Sequence, residues 1–414
     1  MKREELIPAE RRRERMLLID ALSLRAVTIE EGIDADALLE LAQEKLHPFL
    51  HSRFAQSGAL EQLPRAAREK LASAYQRNRL MQLRRIADLK RIGTTLDAAG
   101  IPYLVLKGPV LAATVYPDAA ARTMIDLDVL VPGEELVRAM HVLGDIGYSV
   151  PERFAGQQME AGDAPPLVHR DGGSAVLELH SLLDSAPDDP EGLAKAWASR
   201  RDVAIGGGLA VPVLGAAEFF AHVVTHVSRH HRFEGELRSL LDVALLLRFE
   251  TAAFEWEREL AEWKRRGIDG WIALTVWLAH ILLDAPLPEV FRERMPSRDA
   301  LSMAADQLWA TSHAPVPAAL VFLLARTNRA PVHADAHASW KPLYAPAGVS
   351  GLRQRIARQW QRVQRFFAGL RKGSLHPRNI AREVSLFHKR ERLFAMLEER
   401  SARDVGLDET DHRR

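Results

Sequence analysis

The sequence predicts an α+β fold with an α/β-like core: a small mixed β-sheet, N-terminal helices before it and a C-terminal helical domain after it. Three observations predict this. Apolar runs of strand character at 103–106, 125–130 and 175–180 alternate with helical stretches between 64 and 180. Residues 64–98 place Leu71, Tyr75, Leu80, Leu83, Ile86, Leu89, Ile92 and Leu96 at helical spacing. From 215 to about 330 nearly every segment has helical period. The expected organisation is an N-terminal helical region over 1–63, a sheet-bearing core over 64–185, a helical domain over 186–330, and a linker with basic amphipathic helices over 331–414.

Taken in order, 8–24 and 34–56 read as helices, followed by 64–98 with Pro64 in its first turn. Arg77, Arg79, Arg84, Arg85, Lys90 and Arg91 fall on the polar side of that helix and read as a solvated face. Ala99-Gly100 ends it, and the strand at 103–106 runs into a tight Lys107-Gly108-Pro109 turn and a short helix. An irregular link through Tyr116-Pro117-Asp118 leads to the second strand. A helix over 133–147 follows, then a strand from Gly147-Tyr148, a loop over 151–174 containing a strand at 167–169, and the third core strand at 175–180. A boundary is expected at 185–215. The stretch 331–351 is broken by prolines and glycines and reads as a linker, and 378–400 as a helix of mixed charge.

A chain of 414 residues suffices for two or three domains with a substantial core. Its 47% hydrophobic and 27% charged residues describe an ordinary globular protein. The formal net charge of +1 offers no global attraction for nucleic acid, which argues against template-directed or tailing polymerases. The absence of cysteine excludes disulfides, thiolate metal sites and cysteine nucleophiles. No apolar signal region follows the start, and the run 270–283 is too short to span a bilayer, so a cytoplasmic location is expected.

The chemistry is concentrated on two strands. Side chains two apart leave a strand on the same face, so Asp126 and Asp128 point one way and Ile125, Leu127 and Val129 the other. A D-x-D strand face is either solvated edge or a place where a hard cation offsets two carboxylates about 7 Å apart. On the third strand Glu178 and His180 again share a face.

The run Leu106-Lys107-Gly108, Tyr116-Pro117, Arg122, Asp126-x-Asp128 and Glu178-x-His180 resembles the uncharacterised bacterial nucleotidyltransferase-like family of the DNA polymerase β superfamily, over roughly 70–250. The resemblance implies Mg²⁺- or Mn²⁺-dependent transfer of a nucleoside monophosphate from an NTP such as ATP to a hydroxyl on a small molecule or protein. It implies Asp126, Asp128 and Glu178 as catalytic metal ligands, with Lys107, Gly108, Arg122 and His180 as nucleotide and phosphate contacts. Two departures stand out: Pro109 removes a hydroxyl and an N–H after the glycine, and Glu178 is one methylene longer than the aspartate common there. A non-catalytic nucleotidyltransferase-fold binding protein is the alternative.

Two further features carry charge. His222, His226 and His230 recur every fourth residue on one helix, with His231 beside them, and the following helix supplies Arg238 and Asp242. This reads as a polar helix interface, as a wall over the nucleotide pocket with His226, Arg238 and Asp242 facing substrate or each other, or as a zinc site lacking a ligand from a second element. Between Gly351 and Gly373 there are seven Lys/Arg and no acid, and 352–370 also carries an apolar stripe. That pattern either packs on the body or contacts an anionic membrane surface.

Overall fold

The computed structural model describes residues 1–154, 164–186, 189–310 and 377–404. The expected linker at 331–351 and the basic helix at 352–370 lie outside the described residues. The fold is α+β, and among the described residues a three-stranded sheet and two two-stranded ones are set among helices.

Helices α1 (Arg12–Leu22) and α2 (Ala35–Ser57) pack on each other and on α3 (Arg65–Ala98). Asp34 caps α2, its carboxylate accepting from the Asp36 and Ala37 amides at 3.0 Å. Gln43 interrupts α2 with φ 53°, ψ 167°, so the helix turns there. Gly58 closes it at φ 73°, a conformation that glycine adopts without strain.

The centre of α3 departs from the expected pattern. Leu80 and Leu83 are 63% and 61% exposed, whereas Asn78, Gln82, Arg85 and Asp88 are buried. The reason is the irregular link before the second strand, whose backbone carbonyls need donors. Asn78 Nδ2 donates to the carbonyls of Ala120 (2.7 Å) and Arg122 (2.9 Å), Gln82 Nε2 to that of Arg122 (2.6 Å), and Arg85 to that of Met124. One turn on, Asp88 accepts from Ser174 Oγ at 3.0 Å and from the Ala175 amide at 3.3 Å. A buried polar stripe thus moors both segments that lead into the core strands.

The three-stranded sheet has the order β1-β2-β5, from β1 (Leu104–Val105), β2 (Asp126–Leu130) and β5 (Val176–His180). β1 runs antiparallel to β2, and β5 parallel to it with Asp126 opposite Val176, Asp128 opposite Glu178 and Leu130 opposite His180. Leu127, Val129, Leu177 and Leu179 form the buried apolar face. Ile125, expected on that face, is 66% exposed because the strand begins one residue later. The crossover from β2 to β5 carries α5 (Leu136–Asp145) and the pair β3 (Tyr148–Ser149) and β4 (Val168–His169). Between β1 and β2 lie α4 (Gly108–Thr114) and the link.

After α6 (Pro190–Ala198), the region expected to be helical contains an antiparallel hairpin, β6 (Arg201–Gly206) and β7 (Leu209–Val213). Gly206, Gly207 and Gly208 all have positive φ and turn it. The hairpin packs on β1 and α4. Then come α7 (Ala216–Thr225), a π turn over His226–His230, α8 (Leu237–Phe249), α9 (Trp256–Arg265), α10 (Asp269–Leu283) and α11 (Arg298–Leu308). The apolar run of α10 is explained by burial: Trp271, Ile272, Leu274, Leu278 and Leu282 are all covered. Among the described residues no helix is long and apolar enough to cross a membrane. The C-terminal helix, Pro377–Asp404, lies on α10 and α11, with Phe394 against Trp271 at 4.7 Å between ring centroids. One hydrophobic cluster connects Leu6 to Leu397.

Candidate active site

Strand alternation and parallel register bring four groups to one face. Asp126 and Asp128 leave β2 on the same side, and Glu178 stands opposite Asp128 on β5. Donor atoms of Asp128, Glu178 and His180 lie within 4.8 Å of one another. His180 Nε2 is 3.0 Å from Asp128 Oδ1 and 4.0 Å from Glu178 Oε2.

Lys107 enters from the turn after β1. Its backbone holds φ 45°, ψ −104°, so the strain at this turn falls on Lys107 and not on Gly108. The turn delivers Lys107 Nζ to 2.7 Å from Asp128 Oδ1. Gly108 has a packing reason: a Cβ there would meet Met124 Sδ at 2.6 Å and Cγ at 2.9 Å. α4 begins immediately with Pro109 and has only seven residues.

Burial alone would push the Asp128 carboxyl up, but Lys107 and His180 outweigh it and hold it well below the usual carboxylate range. Burial works to lower Lys107, and Asp128 overcomes it, so the ammonium stays charged. Glu178 is pushed up, first by burial and then by the charges of Asp128 and Asp126. Lys107 and His180 both contact Asp128 through Oδ1. Among the described residues neither its Oδ2 nor the Asp126 carboxylate has a hydrogen bond or ion pair.

A family model described as an uncharacterised nucleotidyltransferase matches residues 31–284, more than half of the chain and all of these groups. The chain belongs to that family. None of the curated proteins matches it.

The remaining expected residues of this nucleotidyltransferase-family chain are placed differently. Arg122 is 4% exposed, and its guanidinium grips Asp242 in a two-point pair, Nε to Oδ1 at 2.9 Å and Nη2 to Oδ2 at 2.8 Å. Tyr116 Oη donates to the same Asp242 Oδ1 at 2.7 Å. Arg122 and Asp242 therefore tie the link before β2 to α8 and do not face an opening. Arg238 Nη1 donates to the Thr123 carbonyl at 2.9 Å, fastening the same link. His226, Arg238 and Asp242 do not meet each other.

His226 belongs to a second cluster. Its Nδ1 is 2.7 Å from Asp184 Oδ2, His230 Nδ1 is 3.4 Å from Asp184 Oδ1, and His226 Nε2 is 3.0 Å from His231 Nε2. Burial lowers His226 to about 4 and His222 to about 3, so both imidazoles are neutral. Asp184 lies on the segment after β5, and its partners His226 and His230 come from the turn after α7. Lys107 contributes to the electrostatics of both clusters, lowering His226 and being raised by Asp184.

Proposed function

We propose that the protein is a Mg²⁺-dependent nucleotidyltransferase that moves a nucleoside monophosphate from an NTP to a hydroxyl of a small molecule or a protein, with pyrophosphate as the leaving group. One observation carries this reading: Asp128 and Glu178 stand in register on parallel strands, with Asp126 on the same face. Family membership supports the class of reaction. The donor set fits a hard cation, because among the described residues the Asp126 carboxylate and Asp128 Oδ2 offer oxygens without a hydrogen bond or ion pair. Asp126, Asp128 and Glu178 would hold Mg²⁺ or Mn²⁺, which when bound supplies charge neutralisation at the phosphates and a lowered pKa for the attacking hydroxyl. Lys107, charged and beside Asp128, receives phosphate oxygens. His180 orients Asp128, and Glu178, raised by its surroundings, accepts the acceptor's proton. In this reading Arg122, paired with Asp242, acts by holding the link before β2 rather than by contacting substrate.

The test is incubation of the purified protein with each labelled NTP, Mg²⁺ or Mn²⁺, and fractionated acceptors. The expected result is metal-dependent transfer of label from one NTP, lost in Asp126→Asn. Binding of NTP and metal with no transfer to any acceptor favours a second reading, a regulatory nucleotide-binding protein. One observation favours it: Lys107 Nζ is paired at 2.7 Å with Asp128 Oδ1, an oxygen that a catalytic metal would need.

A further inference from the structure

The His-rich turn after α7 gathers more ligating chemistry than the transfer reaction uses. From the sequence, His222, His226 and His230 lie on a single element, which cannot by itself close a tight metal site. The structure adds the missing second element: Asp184, four residues beyond His180, brings its carboxylate under the histidines. We propose that Asp184, His226 and His230 form a transition-metal site, selective for Zn²⁺-like borderline ions and separate from the carboxylate face of β2 and β5.

The geometry is that of a ligand set. Ligating atoms around a tetrahedral ion with bonds of about 2.0 Å lie roughly 3.3 Å apart. Here Asp184 Oδ2 accepts a hydrogen bond from His226 Nδ1 at 2.7 Å, whose proton an ion would displace, and Asp184 Oδ1 to His230 Nδ1 is 3.4 Å. All three ligating atoms fall within 4.8 Å of one another. The backbone is shaped for it. Thr225 and Ser228 donate back to the carbonyls of Ala221 (2.7 Å) and Val224 (2.8 Å), a contact that bends helices. The chain then widens into the π turn, closed by the His231 amide on the His226 carbonyl at 2.9 Å. That widening stacks the His226 and His230 rings at 5.0 Å and 21°.

Two further groups complete the picture. His222 is 3% exposed, among the described residues neither of its ring nitrogens has a hydrogen-bond partner, and its Nδ1 is 3.9 Å from Asp184 Oδ2. A buried imidazole with both nitrogens unmet is costly unless something else takes it up, and it is within reach of a fourth coordination position. The far nitrogen of His226 is held by His231, the kind of outer partner that fixes a ligating imidazole. His230 and His231 also line a cleft of about 310 Å³ with Gln43, Lys45 and Arg232, which gives an ion a way in. The two sites differ in ligand softness: carboxylate oxygens on the strands suit Mg²⁺, and two imidazoles with one carboxylate suit Zn²⁺.

The experiment uses the full chain, stripped with chelator and titrated with Co²⁺ and Zn²⁺ alone, reading Co²⁺ visible absorption, bound metal per chain and thermal midpoint. One equivalent binds, Zn²⁺ displaces Co²⁺, and the midpoint rises on binding. His226→Gln and His230→Gln lower affinity by at least the roughly 10- to 100-fold that loss of a supporting partner costs, while Asp126→Asn leaves it intact. His230 is 54% exposed, so its replacement preserves the fold, which circular dichroism verifies. The proposal is overturned if the wild type binds no stoichiometric Co²⁺ or Zn²⁺. It is equally overturned if binding survives His230→Gln and disappears in Asp126→Asn.

Discussion

Lys107 Nζ sits 2.7 Å from Asp128 Oδ1, so a buried cation occupies one oxygen of the carboxylate at the centre of the acidic face. Asp128 therefore has two duties, structural and chemical, whereas Asp126 has no ion pair among the described residues. Breaking a buried pair by removing one partner costs about 3–5 kcal/mol. Asp128→Asn is expected to lower stability by an amount of that order and to abolish label transfer. Asp126→Asn is expected to abolish transfer with an unchanged urea midpoint. Full transfer by Asp126→Asn would remove that residue from the metal set.

Glu178 stands on the acceptor side of the same face. Its replacement by glutamine keeps the shape and removes the proton acceptor, so turnover should fall by about 10²-fold or more, the scale of general-base loss. NTP affinity, followed by equilibrium binding with Mg²⁺, should change far less. Equal losses in binding and turnover would assign Glu178 to the nucleotide and not to the acceptor.

Much of this face is legible in the sequence because strand alternation is a local rule. Asp126-x-Asp128 and Glu178-x-His180 announce their shared faces without any tertiary information. The buried Asn78, Gln82, Arg85 and Asp88 are not legible in the same way. Polar residues at helical spacing read as a solvated face, and only the carbonyls of Ala120, Arg122 and Met124, which accept from these side chains, reverse that reading. Asp184 is hidden for a similar reason, since its partners are some 40 residues away on another element. The β6–β7 hairpin did leave a trace, the triple glycine at 206–208, which marks a turn between two alternating runs.

His47 gives a pH test away from either cluster. It is 3% exposed, and a ring nitrogen lies 2.9 Å from the Leu39 carbonyl. Burial, the largest effect, lowers it from the ordinary value of 6.5. The folded protein thus resists a proton that the unfolded chain accepts, so its contribution is complete above pH 6.5 and declines as pH falls below that value. Urea midpoints measured from pH 7.5 to 5 should fall, and His47→Gln should flatten the slope by up to about 1.4 kcal/mol per pH unit. An unaltered slope would mean the proton is taken up elsewhere.

Arg122 separates a structural from a phosphate-binding role. With Asp242 it forms a pair whose side chains are 4% and 3% exposed. Arg122→Lys loses the two-point geometry, and Asp242→Asn leaves the guanidinium uncompensated; each should cost several kcal/mol, on the order of 3. In both variants NTP affinity of the folded fraction should stay within a few-fold of wild type. A variant that keeps its thermal midpoint but loses NTP binding would restore Arg122 to the triphosphate.

Lys107→Met tests whether the ammonium is a placeholder for the metal as well as a phosphate ligand. Without nucleotide, Lys107 competes electrostatically with any divalent ion at Asp128. Removing it should tighten Mn²⁺ binding by about tenfold, equivalent to 1.4 kcal/mol. With nucleotide present the sign reverses, because a charge-assisted bond to phosphate, worth about 1.5–3 kcal/mol, is gone. Calorimetric titrations of Mn²⁺ alone and of NTP at saturating Mn²⁺ read the two effects separately on one protein. Opposite signs are what a cation standing between Asp128 and an incoming triphosphate must produce. Weakening of both would make Lys107 a simple support for the Asp128 carboxylate, and no change in either would place the nucleotide away from this turn.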